Sequence, residues 1–435
     1  MGAIFGTDGI RGVVGEDLTF NMALSCGNAI AKLKPNCKIL IGQDTRTSGQ
    51  MLVQSVALGA MLAGASVDVL GVASTPCVSY LTMVKNYDYG VVISASHNPP
   101  EYNGIKVFNS CGQKLGEEYE NQLERGLVAP VLANPNNYGR IKIKKQLKKL
   151  YYNYLTQGCA SLKGLKIVLD CANGAGKASA SWAFKALGAD VIMCGASGNG
   201  NKINCKCGAT YPQYLSEQIK LNNADLGFAF DGDADRIIVA DSSGKVYNGD
   251  NILLCLARHY CKLEMLKNKV VVGTSLTNMG LEQELNKLGI KLERADVGDK
   301  YVIAKMNQVG ALLGGEQSGH IIIGNRLPTG DGVMVALALA SIVATSNKPL
   351  KTLMSFDAMP QFMQNVQVTD KVRAMGSEAL ALAIARANNQ LAGSGRVLVR
   401  PSGTEQLIRI MVECNSAKLA KKISGQIADA ILMHN

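Results

Sequence analysis

Aromatic residues are scarce in this chain, at 5% of 435 positions with a single Trp. A stacked-ring platform for single-stranded nucleic acid is therefore a poor fit. No apolar run is long enough to span a bilayer, and the opening residues lack the layout of a secretion signal, so a cytoplasmic protein is expected. Acidic residues are in deficit: 45 Lys and Arg against 34 Asp and Glu leave a formal charge of +11. No Gly-x-Gly-x-x-Gly follows a strand with an acidic residue at the right distance, which weakens a dinucleotide-binding reading. Cys205-Lys-Cys207 has no second Cys or His pair at zinc spacing, which argues against structural zinc. The twelve Cys lie scattered in apparent helices and strands, as in Leu253-Leu-Cys-Leu256, and read as buried free thiols rather than a disulfide framework.

What is present is a repeated pattern. Lys38-Ile-Leu-Ile-Gly42 reads as a strand. The polar loop Asp44 to Gly49 follows, then a helical stretch to about Ala63 and a strand from Val67 to Leu70. Lys166 to Asp170, the turn Asn173 to Gly176, a helix and Val191 to Cys194 repeat the order. Lys269 to Gly273, Thr274 to Asn278, a helix through Leu288 and Lys291 to Glu293 repeat it again. Strand, turn, helix, strand is the grammar of a mostly parallel sheet, and ligands bind such sheets at the carboxyl ends of the strands. From about Pro360 the pattern changes to a helix (Ser377 to Asn388), two strands (Arg396 to Val399 and Leu407 to Val412) and a final helix. The expected fold is thus three similar α/β domains with mixed or parallel sheets and a smaller α+β domain. Turn and composition signals divide it at 1–150, 151–245, 246–360 and 361–435.

Asp231-Gly-Asp-Ala-Asp-Arg236 is the most informative stretch. It joins the apolar runs Leu226 to Phe230 and Ile237 to Ala240, so three carboxylates crowd one strand-to-strand connection. A small hard cation such as Mg²⁺ relieves their repulsion, and Arg236 suits a phosphate. The competing readings are a solvated Asp/Gly turn and an EF-hand; Arg at the sixth position argues against the latter. Ile93-Ser-Ala-Ser-His-Asn-Pro99 ends another strand and displays Ser94, Ser96, His97 and Asn98. A hydroxyl held there is a good covalent acceptor for phosphate. A Ser-His-Asp hydrolase lacks its Gly-x-Ser-x-Gly elbow here, and an ordinary Ser/Asn/Pro loop is the competing reading.

Three further loops carry weaker signals. In Gly314-Gly-Glu-Gln-Ser-Gly-His320, Glu316 and Ser318 can bond sugar hydroxyls and His320 can move a proton, although a lone His in such a loop is more often structural. Arg400-Pro-Ser-Gly-Thr-Glu405 offers Arg400, Ser402, Gly403 and Thr404 as a phosphate cradle, with Arg409 on the next strand to close it; the alternative is a polar hairpin. Arg11 lies in the turn Thr7 to Gly12. Lys106 follows the serine loop and is either a solvated lysine or a phosphate contact. The basic run Arg140 to Lys149, RIKIKKQLKK, reads as a solvated linker or helix face rather than a nucleic-acid site.

Serine loop, metal loop, sugar loop and phosphate loop, in this order, resemble the alpha-D-phosphohexomutase superfamily across essentially the whole chain. The wording FGTDGIRG, GEQSGH and PSGTEQLIRIMVE is nearest the phosphoglucosamine branch, while phosphomannomutase/phosphoglucomutase members more often carry Met where Gln317 stands. The resemblance implies Ser96 as phosphoserine and Mg²⁺, one per chain, on Asp231, Asp233, Asp235 and the Ser96 phosphate. It implies Arg11, His97, Lys106 and Arg236 beside the transferred phosphoryl, and Glu316, Ser318 and His320 at the sugar. Arg400, Ser402, Gly403, Thr404 and Arg409 would hold the non-reacting phosphate. It also implies four domains around a central cleft, a phosphosugar substrate passing through glucosamine 1,6-bisphosphate, and no nucleic-acid or membrane partner; it leaves room for a homodimer. Other branches place a His where this chain reads Val297-Gly-Asp-Lys300, and a Pro where Gln406 stands. A non-catalytic polyanion-binding protein is the rival from another class; it predicts steeply salt-dependent binding and no need of Ser96.

Overall fold

The computed structural model describes residues 6, 8–129, 131, 133, 137–346, 348–402 and 406–433. Three mixed sheets and one antiparallel sheet follow one another along the chain. The first has six strands in the order Ile10–Val13, Tyr102–Asn109, Tyr89–Ile93, Lys38–Gln43, Ser66–Val72, Ile141–Ile143. Its last four strands run parallel; Tyr102–Asn109 is antiparallel to them, and Ile10–Val13 is antiparallel to Tyr102–Asn109. Ile39, Leu40, Ile41, Val91, Val92 and Ile93 are all wholly buried. A parallel strand covered on both faces needs such a continuous apolar run.

The second sheet is ordered Val246–Tyr247, Ile237–Asp241, Leu226–Phe230, Lys166–Asp170, Asp190–Cys194, and the third Lys291–Ala295, Val270–Thr274, Leu313–Gly315, Ile321–Ile323. Helices Gly49–Leu62, Lys177–Ala186 and Met279–Lys287 occupy the helix position of the three repeats. Side chains fix several helix starts. Thr19 accepts from the Met22 N–H, Ser377 from Leu380 and Ser416 from Leu419. Asn248 and Asn251 form a reciprocal cap for Gly249–Lys262.

The chain divides into two compact units, one of Met1–Thr274 with Glu293–Ser355, the other of Ser275–Leu292 with Phe356–Asn435. The second unit holds the three-stranded sheet Gln361–Gln367, Leu407–Cys414, Gly395–Pro401 and, against it, the helix of the third repeat. The buried Glu413 explains that association. It accepts from the Met279 N–H at 2.7 Å and pairs with Arg396 Nε at 2.6 Å, while Arg396 also reaches the Ser275 and Thr277 carbonyls. A buried carboxylate is tolerated only when so compensated.

The strand Gln361–Gln367 was not foreseen from sequence. The basic run also differs from the expected linker or helix face. Its Ile141–Ile143 is an edge strand, Lys145–Leu147 is one short 3-10 turn, and an α-helix begins at Lys148. All twelve Cys are free: eight are buried in the interior, Cys159 and Cys261 are partly covered, and Cys111 and Cys205 are exposed.

Candidate active site

The carboxyl ends of the strands of the first two sheets carry the serine and metal loops. Ser96 sits just past Tyr89–Ile93 with φ +51°, in the left-handed region. That turn aims its Oγ at Asp231 Oδ2, 2.5 Å away. The loop is pinned from beneath by a residue that sequence reasoning passed over. Arg46, 1% exposed, donates to the carbonyls of Ser96 (3.1 Å), Asn98 (2.8 Å), Tyr102 (2.8 Å) and Pro99. Its Nε is paired with Asp44 at 2.9 Å. Asp44 in turn accepts from Ser94 Oγ at 2.6 Å, and Ser94 Oγ accepts from the Ser96 N–H at 2.9 Å. Asn204 Nδ2 also donates to the Ser96 and Asn98 carbonyls.

The metal loop packs directly on this loop. A Cβ on Gly232 would lie 2.5 Å from the Ser96 carbonyl, and one on Gly174 would lie 2.2 Å from the Gly232 carbonyl, so only glycine fits at either place. Ligand atoms of Asp231, Asp233 and Asp235 fall within 4.8 Å of one another, all buried. Asp233 Oδ2 accepts from Thr75 Oγ1 at 2.5 Å and Lys106 Nζ at 2.8 Å, and Asp235 Oδ2 from Lys106 at 3.1 Å. The buried Oδ1 atoms of Asp233 and Asp235 have no hydrogen-bond partner. Burial, with Asp235 and Asp233 beside it, pushes Asp231 well above the usual carboxylate range. Burial raises Asp235 too, but Lys106 and His320 outweigh it and hold that carboxyl well below the range. Orphaned hard oxygens converging in a dry site fit a divalent cation of the Mg²⁺ type.

Lys106 is 1% exposed, so the solvated alternative is excluded. Burial alone would lower its pKa; Asp233, Asp235 and Asp8 together raise it well above the ordinary value. Asp8 also takes Arg11 and Lys114, and Lys114 Nζ reaches Asp299 Oδ2 at 2.6 Å. Despite burial, these cations draw Asp8 below the usual range. Arg11 Nη1 donates to Asn98 Oδ1 at 2.8 Å, tying the amino-terminal turn to the serine loop. His97 Nδ1 lies 3.3 Å from Ser96 Oγ. Burial, then Arg236 and Arg11, lower its pKa to about 3, so its imidazole is neutral at physiological pH. Arg236 donates its N–H to Asp231 Oδ1 at 3.2 Å, and its buried Nε has no partner.

In the sugar loop Glu316 Oε2 accepts from Ser318 Oγ at 3.0 Å and its Oε1 from the Gly298 N–H at 2.9 Å. His320 is buried. Its Nε2 accepts from the Gly330 N–H at 3.0 Å, and its Nδ1 stands 3.8 Å from Asp235 Oδ1. The ring thus leans on the metal loop through Asp235. Asp299 lies 3.6 Å from His320, and Lys300 donates to Glu120 at 3.2 Å. In the second compact unit, Arg400 and Arg409 stand directly opposite each other across antiparallel strands. Arg409 Nη2 is 3.5 Å from the buried Ser402 Oγ, and Lys371 Nζ donates to the Ser402 carbonyl at 2.9 Å. Gly403 and Thr404 lie outside the described residues.

Family models match almost end to end. The four "Phosphoglucomutase/phosphomannomutase" models cover, for alpha/beta/alpha domains I, II and III, residues 2–129, 149–244 and 248–359, and, for the C-terminal domain, residues 363–430. The chain belongs to the phosphoglucomutase/phosphomannomutase family. This family member is 43% identical to the phosphoglucosamine mutase of Picosynechococcus sp., over 100% of this chain and 94% of that protein. A phosphoglucomutase/phosphomannomutase family protein from Burkholderia thailandensis has the same fold, with a TM-score of 0.83 at 23% identity over 100% of this chain and 98% of that one. The N-acetylphosphoglucosamine mutase of Aspergillus fumigatus, solved with GlcNAc-6P and magnesium, aligns with a TM-score of 0.69 at 18% identity over 98% of this chain and 94% of that one. Among the described residues no helix is long and apolar enough to cross a membrane.

Proposed function

We infer that this chain is a phosphoglucosamine mutase, an isomerase that interconverts glucosamine 6-phosphate and glucosamine 1-phosphate through a phosphoserine and glucosamine 1,6-bisphosphate. The observation that carries the reading is Ser96 Oγ, held 2.5 Å from one of three clustered carboxylates by a loop whose backbone is clamped. The preference for an amino sugar over a plain hexose rests on the full-length relatives, of which three are 42–44% identical.

In the phosphorylated enzyme the sugar's free hydroxyl attacks the Ser96 phosphoryl. The P–Oγ bond breaks, a bond from phosphorus to the sugar oxygen forms, and the hydroxyl proton is released. Ser96 Oγ regains a proton, and Asp231 Oδ2 is the carboxylate oxygen within reach of it. The bisphosphate then returns its other phosphoryl to Ser96 by the reverse step. Lys106, Arg11 and Arg236 supply positive charge around the transferred group, where a dry site makes it most effective. Mg²⁺, one per chain on Asp231, Asp233, Asp235 and the Ser96 phosphate, would neutralise charge that develops on that group. Glu316 and Ser318 face the sugar hydroxyls; His320 acts by orienting Asp235. Arg400, Ser402, Gly403, Thr404 and Arg409 hold the phosphate that is not reacting. The enzyme works in the cytoplasm on a small phosphosugar, and native mass measurement decides between a monomer and a homodimer.

Ser96→Ala is expected to abolish turnover while the protein melts normally. Incubation of wild type with glucosamine 1,6-bisphosphate should add one phosphoryl group to the intact mass, mapping to Ser96. Undiminished activity in the variant rules out the covalent route, and a phosphate on Ser94 moves the acceptor. Faster turnover of mannose or glucose phosphates than of glucosamine phosphate favours the sibling phosphomannomutase/phosphoglucomutase reading.

A further inference from the structure

The basic run Arg140 to Lys149 has no part in the chemistry above, yet the fold gives it a definite arrangement. Its strand Ile141–Ile143 runs parallel to Ser66–Val72, with Ile141 beside Val67, Lys142 beside Asp68 and Ile143 beside Val69. Lys144 continues the row, its N–H donating to the Val69 carbonyl at 2.8 Å. Alternation along a strand therefore sends the two isoleucines toward the face that carries Ile39, Ile41 and Val67, and sends Arg140, Lys142 and Lys144 to the opposite face, about 6.6 Å apart. Lys38 joins that face from two strands away, in register with Ser66. Lys85, at the end of helix Thr75–Val84, adds a fifth cation.

These five side chains line one cavity of about 520 Å³. Its one carboxylate, Asp68, accepts from Tyr87 Oη at 2.7 Å. The nearby Asp88 is engaged by Lys34 at 2.5 Å and by the Lys38 N–H at 2.8 Å. None of the five forms an ion pair within 4.0 Å among the described residues. Five cations against one carboxylate leave the hollow with an excess of positive charge that attracts an anion. The hollow also lies at the amino-terminal ends of the parallel strands, whereas Ser96 and Asp44 lie at their carboxyl ends. One strand length, roughly 15–20 Å, separates the two.

We propose that this pocket is a second anion site, for a small molecule with two or more linked phosphoryl groups, of the linear polyphosphate class. Its volume of about 520 Å³ suits a small ligand better than a nucleic-acid duplex, and its one aromatic ring, Tyr87, is buried and does not offer a face for base stacking. Recognition falls to charge.

Inorganic tripolyphosphate is the probe, titrated calorimetrically into the whole protein at about 0.15 M salt, with Mg²⁺ in excess and glucosamine 6-phosphate saturating the active site. Saturable binding of one tripolyphosphate per chain is expected. Lys142→Glu/Lys144→Glu should weaken it at least ~10-fold and leave basal turnover unchanged. If that variant melts early, Lys38→Gln/Lys85→Gln should weaken binding in the same direction. No saturable binding, or equal affinity in wild type and both variants, overturns the proposal. So does a 20-nucleotide RNA that binds the same residues more tightly than tripolyphosphate, because the pocket would then serve a macromolecule.

Discussion

Replacing Arg46 with lysine separates the charge of this residue from its shape. Lysine still neutralises Asp44, but its three donors radiate from one atom and cannot reproduce a planar fork that spans the carbonyls of Ser96, Asn98, Pro99 and Tyr102. The Ser96 and Asn98 carbonyls keep Asn204 Nδ2 and the Pro99 carbonyl keeps the Tyr102 N–H, so the Tyr102 carbonyl is the one that loses its side-chain donor, at a cost to the first domain of about 1–3 kcal/mol. Arg46→Ala is worse, because it also leaves Asp44 as a buried charge without a partner, at a cost of about 3–5 kcal/mol. The kinetic effect is separable from the thermal one. Arg46 touches neither the Ser96 hydroxyl nor the three carboxylates, so it acts only by placing the loop. A drift of about 1 Å in Oγ is enough to slow transfer ~100-fold. Steady-state kinetics with glucosamine 6-phosphate should show kcat down by that order in Arg46→Lys, with KM nearly unchanged, beside a lower melting temperature. A variant with kcat within twofold of wild type and an unshifted melt shows that something else holds the loop. A raised KM at constant kcat shows that Arg46 serves sugar binding instead.

Chelation should stop turnover and Mg²⁺ should restore it; Asp233→Asn should lower activity by at least ~100-fold at fixed Mg²⁺, beyond what outer-shell changes cost, and undiminished turnover in excess chelator removes the metal from the scheme. Arg400→Ala should reduce kcat/KM about ten- to a hundred-fold in both directions, the worth of one charge-assisted contact at 1.5–3 kcal/mol, without altering Mg²⁺ titration; unchanged values in both directions return its loop to an ordinary polar hairpin. Asp331 gives a pH prediction. Burial raises its carboxyl from the ordinary 3.8 to about 6, with Tyr151 Oη at 2.8 Å, so the folded state holds this proton more tightly than the unfolded chain does. Its contribution to stability is then greatest below pH 4 and is lost as pH rises through 6. Asp331→Asn should melt above wild type at pH 8 and converge with it near pH 4; a constant difference across that range contradicts the assignment.

The repeated strand–turn–helix pattern was legible because its strands are unbroken β-branched and leucine runs, a local signal. The metal loop was legible for a related reason: three carboxylates in five residues leave few benign explanations. Arg46 and Asp44 stood in plain view in the first polar turn, yet their meaning lies in carbonyls about 50 residues away, which no local pattern carries. Thr75 is 158 residues from Asp233, and Lys114 bridges Asp8 to Asp299. These are tertiary facts. The strand Gln361–Gln367 was missed because its pattern, Gln-Phe-Met-Gln-Asn-Val-Gln, alternates poorly and buries only Val366 fully. Ile141–Ile143 was missed because its lysines mask the alternation that the sheet then uses.

The left-handed backbone at Ser96 restricts which hydroxyl amino acid can stand there. Threonine offers the same nucleophile, but a β-branched side chain at φ +51° meets its own backbone, and this loop is clamped too firmly to relax. Chemistry alone would let the two residues interchange over evolutionary time. In this fold the torsion angle of one residue closes that route, and the acceptor stays serine.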